Sequence, residues 1–465
     1  MLRILRNLGP GLLLAATSIG GSHIALAPTA GARFGYELLW LVILAHLFKY
    51  HAFEFGPRLA LGANMSLLEG YRRLPGPKNW ALWTGIVDMC LESIGVLAAV
   101  AGFTGSILAA SFGGATPLWT VGVVFVAGIM LAIGRYRLLT IATGLMLLGL
   151  AVGTAIAFFS APPSLAEVGG GLLPGYPAGS LLLVAAILGW MPTGVGVSIW
   201  HSLWIREDRR FQPDSKLAPG TRAYQADRLE KFRRGLRDMR FGYALSALLG
   251  VMFLGLGAAV LRPAGLVPEG VDTALTLSRI YTERLGTWMQ PVFLVVAFAA
   301  MFSTTYTVMD GMPRTLTAAW RHIQGDRDAD RADRGRLYWG YLVAMTLGSL
   351  GIVAVVSDPI RLITLLAAVT FLFSPLWFVL NTWCVARFVT DRKMRPSKVA
   401  FGLAGIGIVF LIGTAVLWVY TAVLGSAHRF TLEKRPIEPF LTPARLRLRV
   451  GLWFLESEPV GRARV

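Results

Sequence analysis

Long runs of roughly 18 to 25 apolar residues recur along the whole chain, parted by short basic loops. A run of that length spans the hydrocarbon of a bilayer as a helix, and lipid offers no water to satisfy a free backbone N–H or C=O. The alternating pattern of a membrane β-barrel is absent, so the chain can fold only as an all-α polytopic bundle. Two of the runs are broken at mid-span. Thr17-Ser18-Ile19-Gly20-Gly21-Ser22-His23 interrupts the segment from Gly11 to Ala30, and Gly189-Trp190-Met191-Pro192-Thr193-Gly194 interrupts the segment from Leu181 to Trp204. Unwound backbone at that depth survives only where it lines a protected cavity. A matched pair of breaks, one per half, points to the midplane substrate site of a secondary transporter.

Eleven spans are expected, near 10–31, 35–57, 80–110, 117–134, 138–160, 180–204, 241–262, 286–312, 338–357, 361–386 and 400–424. Residues 1–160 read as a first five-helix repeat opening with broken helix 1, and residues 161–386 as a second opening with broken helix 6. Residues 387–424 add an eleventh transmembrane helix and residues 425–465 a basic tail. Two sets of five, each led by a broken helix, make the LeuT-type inverted 5+5 repeat.

Only 15% of the residues are charged against 55% hydrophobic, with a net charge of +18. A soluble domain carries about 25% charged residues. Most of the basic residues lie in loops 58–79, 135–137, 205–240, 313–337 and 387–398, while loop 161–179 has no Lys or Arg. That asymmetry puts the N-terminus in the cytoplasm and explains the charge by anionic lipid rather than nucleic acid. The basic tail departs from the rule: eleven spans leave Arg429, Lys434, Arg435, Arg445, Arg447 and Arg449 outside. Residues 446–455 are too short to cross and suit an interfacial position. The excess of Arg over Lys suggests a bacterial genome rich in G and C, hence a multi-pass protein of the inner (plasma) membrane. Arg3, Arg6 and Ala25-Leu26-Ala27 imitate a secretory signal, but the glycines and the following spans read as an uncleaved first helix. Cys90 and Cys384 lie in apolar segments, with neither a disulfide nor a zinc spacing expected.

The third span holds Asp88 and Glu92 on one helical face. Intramembrane carboxylates mark proton relays or bond structurally to a neighbouring helix, and both readings stay open here. His46, Lys49, His51, Glu54 and Arg58 end the second span; snorkelling and an i,i+4 pair between Glu54 and Arg58 account for them, with a gate as the alternative. Asp326, Asp328, Asp330 and Asp333 alternate like a calcium loop, but they lack its glycine and closing glutamate and read as a solvated charged loop. Trp200, His201 and Trp204 read as an aromatic-belt anchor. No nucleophile–base set is visible, so the chain does not read as an enzyme.

Gly9-Pro10-Gly11-Leu12-Leu13, then Gly31-Ala32-Arg33-Phe34-Gly35-Tyr36-Glu37-Leu38-Leu39-Trp40, resembles the first helix and following turn of the Nramp proton-coupled divalent metal transporters, and Met191-Pro192 resembles the start of that family's Met-Pro-His motif. On this resemblance Gly20-Gly21-Ser22-His23 stands where the family has Asp-Pro-Gly-Asn, so the metal-binding aspartate is Gly20 and the motif's histidine is Thr193. The resemblance implies a substrate site of Thr17, Gly20, His23, Leu188 and Met191, the first and fourth through their carbonyls, with His23 and Met191 as metal ligands. It also implies a proton pathway through Asp88 and Glu92. An imidazole and a thioether suit Mn²⁺, Fe²⁺, Ni²⁺ or Zn²⁺ over Ca²⁺ and Mg²⁺. The alternative for His23 is a core histidine satisfied by protein, and for Met191 a gap-filler. Ser303-Thr304-Thr305-Tyr306-Thr307 in the eighth span is similar to the second cation site of sodium-coupled LeuT-fold relatives, or bonds its own helix.

The function expected is transport of a Mn/Fe-class divalent cation by alternating access, coupled to protons as the resemblance implies. The alternatives are transport of a small organic solute or a monovalent ion, since Gly20 and Gly21 enlarge the site and remove its negative charge, and a non-transporting sensor or scaffold. No cofactor is expected beyond the transported ion. The expected partners are membrane lipid and a small ion or solute.

Overall fold

The computed structural model describes residue 14 and residues 17–432, apart from 135, 161, 332, 333 and 357. Gly9-Pro10-Gly11-Leu12-Leu13, Arg3, Arg6, Arg135, Asp333 and segment 446–455 lie outside the described residues.

The first span is helical at residues 17–18, bends at 19–20 and resumes as a π-helical turn, Ser22–Leu26, running into α1 (Ala27–Phe34). A turn at Gly35, whose φ is +61°, leads into α2 (Leu39–Gly62). Then follow α3 (Leu67–Arg72), α4 (Trp80–Phe112), α5 (Thr116–Ile133) and α6 (Tyr136–Phe159). The second half brings α7 (Leu165–Gly171), α8 (Leu181–Trp190), α9 (Val197–Glu207), α10 (Arg222–Leu256, prolonged by a π turn to Leu261) and α11 (Thr273–Leu285). It closes with α12 (Met289–Gln324), α13 (Arg336–Val355), α14 (Pro359–Phe388) and α15 (Lys398–Leu432).

Every expected span has a helical counterpart, and the differences lie at the ends. The expected loop 205–240 is helical from Arg222, because the Thr221 hydroxyl accepts the Tyr224 N–H and caps α10 well before its apolar part begins. Helix α12 likewise runs twelve residues past its expected end at residue 312, with Pro313 inside it. Helix α14 starts where Asp358 accepts the N–H groups of Ile360 and Arg361, with Pro359 at its first position. Two compact units divide the chain, residues 1–419 and 420–465.

Helix α4 packs against α5, α12 and α14, while α2 packs against α9 and α10, and α8 lies along α14. The π turn after the first break meets α8, α10 and α14. Small residues allow the closest crossing: a Cβ on Gly31 would stand 2.1 Å from the carbonyl oxygen of Leu254, and one on Gly257 2.2 Å from that of Pro28. The outer faces are apolar, with Phe125 and Ile129 on α5, Leu347 on α13 and Val409 on α15 all exposed. Such faces suit lipid contact and would be a liability in water. Cys90 and Cys384 are both free thiols.

Candidate substrate site at the paired helix breaks

Both expected breaks are real. In the first, the Gly20 carbonyl accepts the N–H groups of His23 (3.1 Å) and Ile24 (2.9 Å) as the helix restarts. In the second, the last helical bond of α8 runs from the Met191 N–H to the Ile187 carbonyl (2.9 Å), after which Met191 turns extended. Pro192 has no N–H to offer the Leu188 carbonyl, so α8 ends there with carbonyls unsatisfied by its own backbone. The two breaks touch: the Ser22 hydroxyl lies 3.0 Å from the Ser18 carbonyl, 2.8 Å from His23 Nδ1 and 3.3 Å from the Pro192 carbonyl.

A cavity with about 60 Å³ of space for water-sized molecules opens beside them. Thr17, Gly21 and Ser22 line it from the first break, and Trp190, Thr193 and Gly194 from the second. Helix α4 contributes Asp88 and Glu92, α9 Trp200, α12 Thr304, and α14 Thr370 and Trp377. The carboxylates are buried, Asp88 at 2% exposure and Glu92 at 4%. One oxygen of each is held: the Trp377 indole donates to Asp88 Oδ2 (3.0 Å), and the Thr370 hydroxyl donates to Glu92 Oε2 (3.1 Å) while accepting from the Trp190 indole (3.1 Å). Asp88 Oδ1 and Glu92 Oε1 have no hydrogen-bond partner on any other residue, and the two carboxyls face each other across one helical turn. Two buried carboxyls one turn apart cannot both ionise cheaply, so the pair is suited to share a proton or to take up a cation.

Of the residues expected at the site, the structure brings Thr17, Asp88 and Glu92 to the cavity and leaves the others out of its lining. His23 is fully buried, with Nδ1 against the Ser22 hydroxyl and Nε2 2.8 Å from the Ser246 carbonyl and 3.0 Å from its hydroxyl. Both ring nitrogens are therefore engaged with protein. Gly20 is packed against α12, where a Cβ would stand 2.4 Å from Thr304 Oγ1, so a threonine occupies the space an aspartate there would enter. Among the described residues no group of three His, Cys, Asp or Glu side chains could together hold a metal ion. On α12 the Thr304 and Thr305 hydroxyls donate to the carbonyls of Ala300 and Met301 (both 3.0 Å), the backbone-bonding alternative.

The carbonyls of Leu188 and Met191 are occupied by a residue that sequence reasoning misplaced. Lys49 does not snorkel. Its ammonium turns inward and shares its three N–H groups among the carbonyls of Leu188 (2.9 Å), Gly189 (3.0 Å), Met191 (2.8 Å) and Thr193 (3.0 Å). Elsewhere in the α2 cluster the expected Glu54–Arg58 pair forms at 2.8 Å, with Arg240 joining it at 2.9 Å, whereas His46 is buried against the Val42 carbonyl (2.8 Å) and does not snorkel.

Two further expectations are corrected. Trp200, His201 and Trp204 are buried rather than set in an interfacial belt, and Trp200 forms part of the cavity wall. Asp330 is not a solvated loop residue. It accepts from the Ser66 hydroxyl (2.5 Å), pairs with His322 (2.9 Å) and lies 3.7 Å from Arg206, tying the loop to the start of α3. Partial burial alone would raise its pKa, but the His322 and Ser66 hydrogen bonds and the Arg206 charge hold it below the usual carboxylate value. A depressed folded-state pKa contributes stability above the ordinary carboxylate range, lost as pH falls through the depressed value. Asp330→Asn is thus expected to destabilise the protein by about 1–3 kcal/mol at neutral pH. Thermal melting should show the gap from wild type closing in acid.

This helix order with paired breaks defines a LeuT-type transporter fold. A family model described as "Natural resistance-associated macrophage protein-like" matches residues 11–423, and the chain belongs to the Nramp family of multi-pass membrane transporters. Uncharacterized protein PM0681 of Pasteurella multocida is 28% identical over 89% of this chain and 91% of its own length. Proteins named divalent metal cation transporter MntH match less of their length: that of Chromohalobacter salexigens is 31% identical over 55% of this chain and 57% of its own. That of Deinococcus radiodurans is 26% identical over 65% and 66%. Among solved structures, the Eremococcus coleocola manganese transporter, in complex with an aromatic bis-isothiourea substituted compound, superposes with a TM-score of 0.56 at 17% identity, covering 90% of this chain and 94% of that one. Mhp1, a nucleobase-cation-symport-1 family transporter closed around bromovinylhydantoin, gives 0.56 at 15% identity, covering 92% and 93%. At those identities the likeness is one of fold.

Proposed function

We infer that this protein carries a divalent metal cation of the Mn/Fe class across the membrane by alternating access at the cavity between the two breaks. The observation that carries the reading is the carboxyl pair: Asp88 and Glu92 are buried side by side in the wall of that cavity, with Oδ1 and Oε1 bonded to no other residue. Family membership and the MntH relatives support a metal substrate. The charge that Gly20 no longer supplies is made good from α4, and carboxylate and hydroxyl oxygens are donors that suit Mn²⁺. The ion would sit against Asp88 and Glu92, with the Thr17 side of the first break facing it and the cavity leaving room for retained water. Proton coupling would run through the same pair, with protons moving in the direction of the ion, as a symport. Rocking of one helix bundle against the other, with the breaks as the yielding points, would open the site to each side in turn. The N-terminus belongs in the cytoplasm on the evidence of the basic loops.

The test is Mn²⁺ uptake into liposomes holding the purified protein, with an imposed proton gradient. Uptake above empty liposomes is the expected result; none for any divalent ion removes the metal reading. A second reading draws on the cavity wall, since Trp190, Trp200 and Trp377 offer aromatic faces to a small organic solute. Stabilisation in a melting screen by organic solutes and not by metals would favour it.

A further inference from the structure

Lys49 stands in the middle of the 24-residue helix α2, at 0% exposure. No ion pair holds it among the described residues; its ammonium meets four backbone carbonyls and, 5.8 Å away, the face of Phe53. An ammonium buried without a counterion costs several kcal/mol unless other groups replace its water. Here the broken helix does so. Leu188 and Gly189 lie in the last turn of α8, where orphan carbonyls and the negative end of the helix dipole coincide, and the Met191 and Thr193 carbonyls belong to the unwound segment itself. A set of carbonyl oxygens standing in for a hydration shell is how proteins hold a bare monovalent cation. The contacts of 2.8–3.0 Å suit a singly charged ion of ammonium or potassium size. Mg²⁺ and Ca²⁺ need oxygens at about 2.0–2.6 Å.

We propose that the break of the second broken helix is a monovalent-cation cage whose cation is built into the chain as the ammonium of Lys49. The tethered ammonium supplies what a dissolved co-ion would otherwise supply, so the break needs no sodium or potassium to stay formed. It also excludes a divalent ion from the Leu188 and Met191 carbonyls, because that ion would meet a fixed positive charge. Thr193 gives its carbonyl to Lys49 and lines the cavity, so cage and cavity share a wall. The inference holds whatever solute crosses, and its test reads no transport.

The purified full chain is melted in choline, sodium, potassium, ammonium and n-propylammonium chloride. Wild type should melt at one temperature in all five. Lys49→Met keeps the apolar stem and removes only the ammonium; it should melt several degrees lower in choline and recover, saturably, with potassium or ammonium. Lys49→Ala leaves room for the missing three carbons and the nitrogen, so n-propylammonium should restore it best. If either variant can be purified only with its matching cation present, that outcome supports the cage. Variants that melt like wild type in choline, that are lowered equally in every salt, or that cannot be recovered with any cation would overturn it, leaving Lys49 a structural strut.

Discussion

Glu92→Gln and Asp88→Asn are each expected to weaken metal binding by about a hundredfold, and to lower uptake correspondingly. The cavity lies among the helices, and these two are the only carboxylates in its lining among the described residues. Removing one partner from a buried charge pair costs roughly 3 kcal/mol or more, and each 1.4 kcal/mol is tenfold in Kd. The amide forms keep shape and the bonds from Trp377 and Thr370, so the fold should hold. Without metal the variants should melt close to the wild-type temperature, because an amide replaces a buried carboxyl of the same shape. With Mn²⁺ they should lose the ligand-induced rise in Tm that wild type shows. A full metal response in both would remove the carboxylates from the site.

The second large effect is expected at Gly189. A Cβ there would stand 1.8 Å from the carbonyl oxygen of Ala367 and 2.8 Å from its carbon, both backbone atoms of α14 that no rotamer change can move. Gly189→Ala must therefore push α8 off α14, at about 1–3 kcal/mol for an overpacked core or beyond. The displacement falls where the Trp190 indole bonds Thr370, which in turn holds Glu92. Both Tm and uptake should fall together, and n-propylammonium or potassium should restore neither. An unchanged Tm would mean that the α8–α14 contact is looser than described.

The spans and breaks were legible in the sequence because hydropathy and backbone chemistry act locally. Eleven apolar runs became helices, and Pro192 and the Gly20-Gly21 pair marked the interruptions within a few residues. The site was legible only in part. Asp88 and Glu92 declared themselves by their cost in lipid and by their i,i+4 spacing. His23 did not reveal that Ser22 and Ser246 use both its nitrogens, because Ser246 is distant in sequence. Lys49 was read with its charged neighbours as an interfacial group. One signal argued against that: eight residues from the expected end of its span is roughly 12 Å at 1.5 Å per residue, too deep for a four-carbon stem to reach water. What could not be read was its partner, since a backbone carbonyl leaves no mark in a sequence. Asp330 was misread for a similar reason, its partners Ser66 and Arg206 coming from distant segments.

The most direct measurement is an anomalous difference map from crystals soaked in Mn²⁺. The account requires one manganese peak inside the cavity, within coordinating distance of Asp88 Oδ1 and Glu92 Oε1, and none among the carbonyls around Lys49. A cavity empty at saturating Mn²⁺, or a peak beside Leu188 and Met191 with the Lys49 ammonium displaced, would contradict it.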